Sequence, residues 1–148
     1  MNNPVISCSL FRVCALTTLF LFVFLHGSEG NAQESKKNSS LGIQITLVPK
    51  CGAGPDRMDR IAGVVRHPSS DNLKVVIFSH TNKWWVQPYV ANPFTDIMAD
   101  GRWMSQIHLG YEYAAFLVQA SYRPPATTAA LPEVGGEILA ISHALCKD

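Results

Sequence analysis

The sequence of 148 residues predicts an all-β fold, an immunoglobulin-like antiparallel β-sandwich of seven to eight short strands. Three observations carry this expectation. From Leu41 onward, short runs rich in Val, Ile, Phe, Tyr and Trp follow one another, the residue types that fit a pleated surface. Apolar and polar residues alternate in several of them, the period of a strand. Gly, Pro, Asn and Asp punctuate the intervals, where a turn needs a positive φ, a fixed φ or a side chain that bonds its own backbone.

The elements follow in order. IQITLVP, from Ile43, alternates and stops at Pro49-Lys50-Cys51-Gly52. RIAGVVRH (Arg60 to His67) is short and β-branched, and the turn PSSDN follows it. LKVVIFSH (Leu73 to His80) runs through Thr81-Asn82 into KWWVQP. FTDIMA (Phe94 to Ala99) precedes the Asp100-Gly101 turn, and RWMSQIHL (Arg102 to Leu109) follows it. YEYAAFLVQ (Tyr111 to Gln119) is apolar on both faces, as a central strand must be. GEILAISHAL closes the series, and it alone also suits a helical stripe, through Ile138, Ile141 and Leu145.

The first residues are expected to lie outside this fold. Arg12, the charge-free stretch Val13 to Leu25 and the small, polar HGSEGNAQES have the anatomy of a secretory signal peptide, residues 1–32, cut before Gln33. The rival is an uncleaved anchor, for which the stretch is short against the roughly 20 residues of a span. A flexible, polar leader, 33–42, follows, with a glycosylation sequon at Asn38, and the β-sandwich domain takes 43–148. The expected location is secreted or periplasmic, with no membrane association beyond the signal peptide.

Removing 1–32 takes away Arg12 and Glu29, so the formal charge stays at +1. So even a balance, without a Lys/Arg cluster beyond the leader, excludes a nucleic-acid partner. Cys8 and Cys14 leave with the signal, and Cys51 and Cys146 remain. An even pair in an exported chain implies a disulfide joining the end of the first strand to the end of the last. Closing such a loop stabilises by up to about 4.7 kcal/mol in the chain-entropy model. Two buried free thiols are the alternative.

KWWVQPYVANP, Lys83 to Pro93, sets two tryptophans side by side, and a strand sends neighbours to opposite faces. With a two-residue turn at Thr81-Asn82, Ser79 would pair with Trp84 and Phe78 with Trp85. One face then holds Leu73, Val75, Ile77, Trp84 and Val86, a core face on which Trp84 would meet Trp103. The other holds Phe78, His80, Lys83, Trp85, Gln87 and Tyr89. A three-residue loop would exchange the two tryptophans. An exposed Trp85 beside Phe78 and Tyr89, ringed by His80, Lys83 and Gln87, suits a carbohydrate. Aromatic planes pack on the C–H faces of sugar rings, and amide and charged groups bind the hydroxyls. The competing expectation buries Trp85 under a loop such as YRPPATT (Tyr122 to Thr128).

The residues WWVQP, NPFTDIMADGRW, SYRPPA and LP together resemble a small β-sandwich module of secreted microbial proteins. Its pattern runs W-W-x-[KQ]-P, then P-x-T-x-I-x-x-D-G-x-W, then Y-x-P-P and L-P. The resemblance spans Ile43 to about Ile141 and implies a sandwich found beside glycoside hydrolases and other carbohydrate-active domains, or standing alone. This chain departs from the pattern by adding the Cys51–Cys146 pair, and within these 148 residues no companion catalytic domain is expected.

No catalytic constellation is expected. His67, His80, His108 and His143 sit on separate segments without zinc spacing. Asp96 and Asp100 would stand roughly 13 Å apart along a strand, too far for glycoside hydrolysis or calcium. Asp56 and Asp59 are interleaved with Arg57 and Arg60. CGAGPD (Cys51 to Asp56) lacks the Lys-Ser/Thr of a phosphate loop, and no nucleophile elbow occurs. The sequence therefore implies a non-catalytic monomer without metal or cofactor that binds carbohydrate. Alternatively it is a protein-interaction or structural module whose partner is another protein.

Overall fold

A computed structural model describes residues 41–66 and 72–148. The signal peptide, the Asn38 sequon, all of the leader but Leu41 and Gly42, and most of the PSSDN turn lie outside the described residues.

Among the described residues nine strands form two antiparallel sheets, and each of the eight expected runs supplies one. They are β1 (Gly42–Leu47), β2 (Met58–Arg66), β3 (Leu73–His80), β4 (Trp84–Gln87), β5 (Phe94–Thr95), β6 (Arg102–His108), β7 (Glu112–Gln119), β8 (Thr127–Thr128) and β9 (Ile138–Leu145). The smaller sheet is ordered β1-β2-β6, and the larger β8-β4-β3-β7-β9, with β5 also paired to β3. Within the run from Gly136, Ile138–Leu145 forms a strand and not a helix, because Phe116 and its neighbours on β7 offer Ile138 and Ile141 a ladder partner. The expected strand FTDIMA shrinks to two residues. The chain turns there toward the smaller sheet, closed by Met98 N–H to Arg102 O at 2.8 Å and Gly101 N–H to Met98 O at 2.8 Å. Gly101 takes φ 82°, a conformation that favours glycine at this turn.

The larger sheet is buried on both faces. Toward the smaller sheet, Val75, Ile77, Tyr113, Ala115 and Leu117 pack against Ile61, Val65, Trp103 and Ile107. On the opposite face, Val76, Phe78, Trp84, Val86, Ala114, Phe116 and Val118 form a second cluster, covered by Tyr122 and Leu131 of the β7–β9 connection. Phe78 and Phe116 meet edge to face there, with centroids 5.4 Å apart, a geometry contributing about 0.5–1.5 kcal/mol beyond area burial. YRPPATT pairs with the edge of β4, Val86 N–H donating to Ala126 O at 3.1 Å and Thr128 pairing with Trp84, and it does not bury Trp85, which stays 41% exposed.

The segments that follow β1 and β9 are joined. Cys51 and Cys146 form the expected disulfide, and Cys51 N–H donates to Lys147 O at 3.0 Å. Ile45 N–H donates to Ser142 Oγ at 3.1 Å, bringing the β1 edge of one sheet against the β9 edge of the other. Beneath this closure Tyr113 is fully buried; its hydroxyl donates to Lys50 O at 3.0 Å and accepts from Gly110 N–H at 3.0 Å. Burial pushes the Tyr113 hydroxyl above its ordinary value.

Candidate functional site

The β3–β4 loop decides where the tryptophans go. It is three residues, Thr81 to Lys83, with Thr81 N–H to Lys83 O at 3.1 Å, and not the two-residue turn expected at Thr81-Asn82. His80 therefore pairs with Trp84, Ser79 with Trp85, Phe78 with Val86 and Ile77 with Gln87. A one-residue slip moves a whole strand to the other face. Trp84 joins Phe78 in the second cluster, 7% exposed, and does not meet Trp103, Val75 or Ile77. Trp85 shares the face of Ile77, Ser79 and Gln87, and it is 41% exposed because it stands at the margin of the sandwich. The buried and exposed tryptophans are thus as the sequence implied, on interchanged faces.

Two expected site residues fall away. Phe78 is fully buried between β4 and β7 and cannot reach a ligand. His80 lies on the opposite face from Trp85, stacked on Trp84 with centroids 4.8 Å apart and 3.9 Å from the Glu112 carboxylate. His143 flanks the same indole at 5.4 Å.

Three of the other four converge. Trp85, Gln87 and Tyr89 line a cleft of about 430 Å³, joined by Pro55, Val90 and His108. Proline builds its wall. β4 and β5 pair successively with the same edge of β3, so Trp84–Thr95 is one strand interrupted by Pro88–Pro93. Neither proline has an N–H for the ladder, and the chain leaves the sheet between them. The excursion closes with Asn92 N–H to Tyr89 O at 3.1 Å and holds Tyr89 out, 56% exposed. Tyr89 meets His108 edge to face, centroids 5.7 Å apart. Lys83 does not line the cleft; its Nζ sits 4.5 Å from the centre of the Trp85 ring, a cation–π contact worth about 0.5–1 kcal/mol at an exposed site.

Gln87 is 3% exposed, yet every polar atom of its amide has a partner. Its Nε2 donates to Ser79 Oγ at 2.8 Å and to Trp85 O at 3.3 Å. Its Oε1 accepts from His108 N–H at 3.0 Å and lies 3.1 Å from His108 Nδ1. This amide bridges the two sheets at the floor of the cleft. His108 was not among the residues the sequence pointed to, since nothing in its spacing ties it to Gln87.

Carboxylates are placed elsewhere. Asp96 pairs with Lys74 at 2.7 Å. Asp100 accepts from Arg102 N–H at 3.0 Å, and that bond holds its carboxyl below the usual range. The backbone N–H groups of Arg60 and Lys50 do the same for Asp59. Among the described residues no Asp or Glu lines the cleft. Among the described residues, no group of three or more His, Cys, Asp or Glu is placed to hold a metal ion, and no helix is long and apolar enough to cross a membrane. The cleft presents aromatic surface, a fixed amide and an imidazole. No protein-family model, curated protein or solved structure matches this chain.

Proposed function

We propose that this protein is an exported, non-catalytic binding module that takes carbohydrate into the cleft beside Trp85. The observation that carries this reading is a large indole, 41% exposed, lining a cleft whose polar side chains are the hydroxyls of Ser79, Thr81 and Tyr89, an amide and an imidazole. A sugar ring stacks its C–H face on the indole, and its hydroxyls meet Thr81 and His108. Tyr89 extends the aromatic surface, and Lys83 steadies the Trp85 ring. The Cys51–Cys146 disulfide supports export, because such bonds persist in oxidising compartments. The motif resemblance to secreted modules agrees with it. Binding by one monomer at so open a site is expected between millimolar and micromolar, about −4 to −8 kcal/mol.

The test is retention of the mature protein on insoluble polysaccharides and on a glycan array, beside Trp85→Ala. Retention that Trp85→Ala abolishes, with folding intact, supports the reading. Retention no greater than that of an unrelated sandwich domain on every glycan overturns it and leaves a protein partner for the exposed Tyr89 and Val90.

A further inference from the structure

The contact between Gln87 and His108 fixes a proton. The His108 backbone nitrogen can only donate, so the Gln87 atom facing it at 3.0 Å is the amide oxygen. The other end of the amide agrees, since Nε2 faces the carbonyl oxygen of Trp85, which can only accept. That same Oε1 lies 3.1 Å from His108 Nδ1. Two unshared pairs would repel at this distance, so Nδ1 carries the hydrogen. In a neutral imidazole, Nε2 then keeps its unshared pair. Among the described residues nothing hydrogen-bonds Nε2, and His108 lines the cleft.

We propose that Gln87 locks His108 as the Nδ1–H tautomer, so that His108 Nε2 is the hydrogen-bond acceptor of the cleft and selects ligands that present a hydroxyl or N–H donor. This rests on the carbohydrate reading and deepens it: a neutral sugar hydroxyl donates to Nε2 while its ring stacks on Trp85. A carboxylate or phosphate oxygen has no hydrogen to give and is disfavoured at that position. His108 is the ligand contact, and Gln87 is a positioning residue that acts through it. Free imidazoles prefer the opposite tautomer, so an Nδ1–H signature reports the bond to Gln87.

The experiment is long-range ¹H–¹⁵N correlation spectroscopy of the imidazoles in the full mature protein, at a pH where His108 is neutral. Cellotetraose, xylotetraose, laminaritetraose and chitotetraose are then added separately. The expected result without sugar is an Nδ1–H signature for His108, lost in Gln87→Met and kept in Gln87→Glu, whose carboxylate still accepts from Nδ1. An Nε2–H signature in the unaltered protein overturns the proposal, as does its persistence as Nδ1–H in a folded Gln87→Met. With sugar, the same probe should shift both the Trp85 indole and His108 Nε2, and His108→Phe should weaken that probe's binding about tenfold. A probe that shifts Trp85 without His108 overturns the role of His108 and leaves the carbohydrate reading standing. If no probe shifts either residue, the carbohydrate reading fails and the ligand half of the proposal falls with it.

Discussion

Gly63 and Trp103 pair directly across β2 and β6, and the indole fills the space over the glycine. A Cβ at position 63 would lie 2.4 Å from the Trp103 ring and 2.1 Å from the Gln44 carbonyl oxygen. Neither can yield, because Trp103 is 1% exposed and the oxygen belongs to the β1–β2 ladder. Gly63→Ala is therefore expected to destabilise by about 3 kcal/mol, the upper part of the range for overpacked cores. Urea denaturation checks it, with a lowered midpoint at an unchanged slope as the expected outcome.

The neighbouring tryptophans should behave as different residues. Trp84→Ala removes a buried indole from the second cluster and should cost about 3–5 kcal/mol. Trp85→Ala should cost clearly less than Trp84→Ala, because the indole is already 41% exposed. Acrylamide quenching of the intrinsic fluorescence tests the same difference: Trp85→Phe should remove most of the quenchable emission, and Trp84→Phe little of it. Equal losses from the two variants would contradict their assigned exposures.

Reduction should weaken the fold substantially. The disulfide spans a sequence separation of 95, for which the chain-entropy model gives up to about 4.7 kcal/mol. The Cys51→Ser, Cys146→Ser double variant should match the reduced protein in its unfolding midpoint. A midpoint unmoved by reductant, once intact mass shows both thiols free, would count against this account.

Alkali should unfold the protein through tyrosine. Burial raises the Tyr113 hydroxyl above the usual phenol value of 10.0, and burial and then Glu137 do the same for Tyr122. A group whose native pKa is raised stabilises fully below its unfolded value and loses that contribution as the pH climbs through its native one. Stability should therefore hold below about pH 10 and fall above it. Tyr113→Phe should flatten that fall. It should also cost about 1–3 kcal/mol at neutral pH, because it leaves the Gly110 N–H without its partner. Urea midpoints measured alongside phenolate absorbance separate the two effects.

The strands and the disulfide were legible because alternation and cysteine parity are local or countable. The faces of β4 were not, because one residue in the length of the β3–β4 loop exchanges them, and Thr81-Asn82-Lys83 carries no signal that fixes its length. A polar and an apolar face also proved a poor guide. The second face of the larger sheet is covered by Tyr122 and Leu131, from a segment without periodicity, so both faces are core. β8 escaped notice for the same reason, two threonines paired to Trp84 and Trp85. Of the cleft, Trp85, Gln87 and Tyr89 were visible as one stretch. His108 reaches it only because β6 ends where β4 ends in the facing sheet, a long-range coincidence that spacing cannot announce.

The join between the segments after β1 and β9 carries a mechanical consequence. A pull between Leu41 and Asp148 passes from Cys51 to Cys146 through the sulfur–sulfur bond, so everything from Gly52 to Leu145 lies off the load path. Only β1 can be peeled, from β2 on one side and from Ser142 on the other. About ten residues would pay out, roughly 35 Å, before the load became covalent. Under tension the cleft and the second cluster would bear none of the strain, while the first cluster would lose the β1 residues packed on it, Ile43 and Ile45.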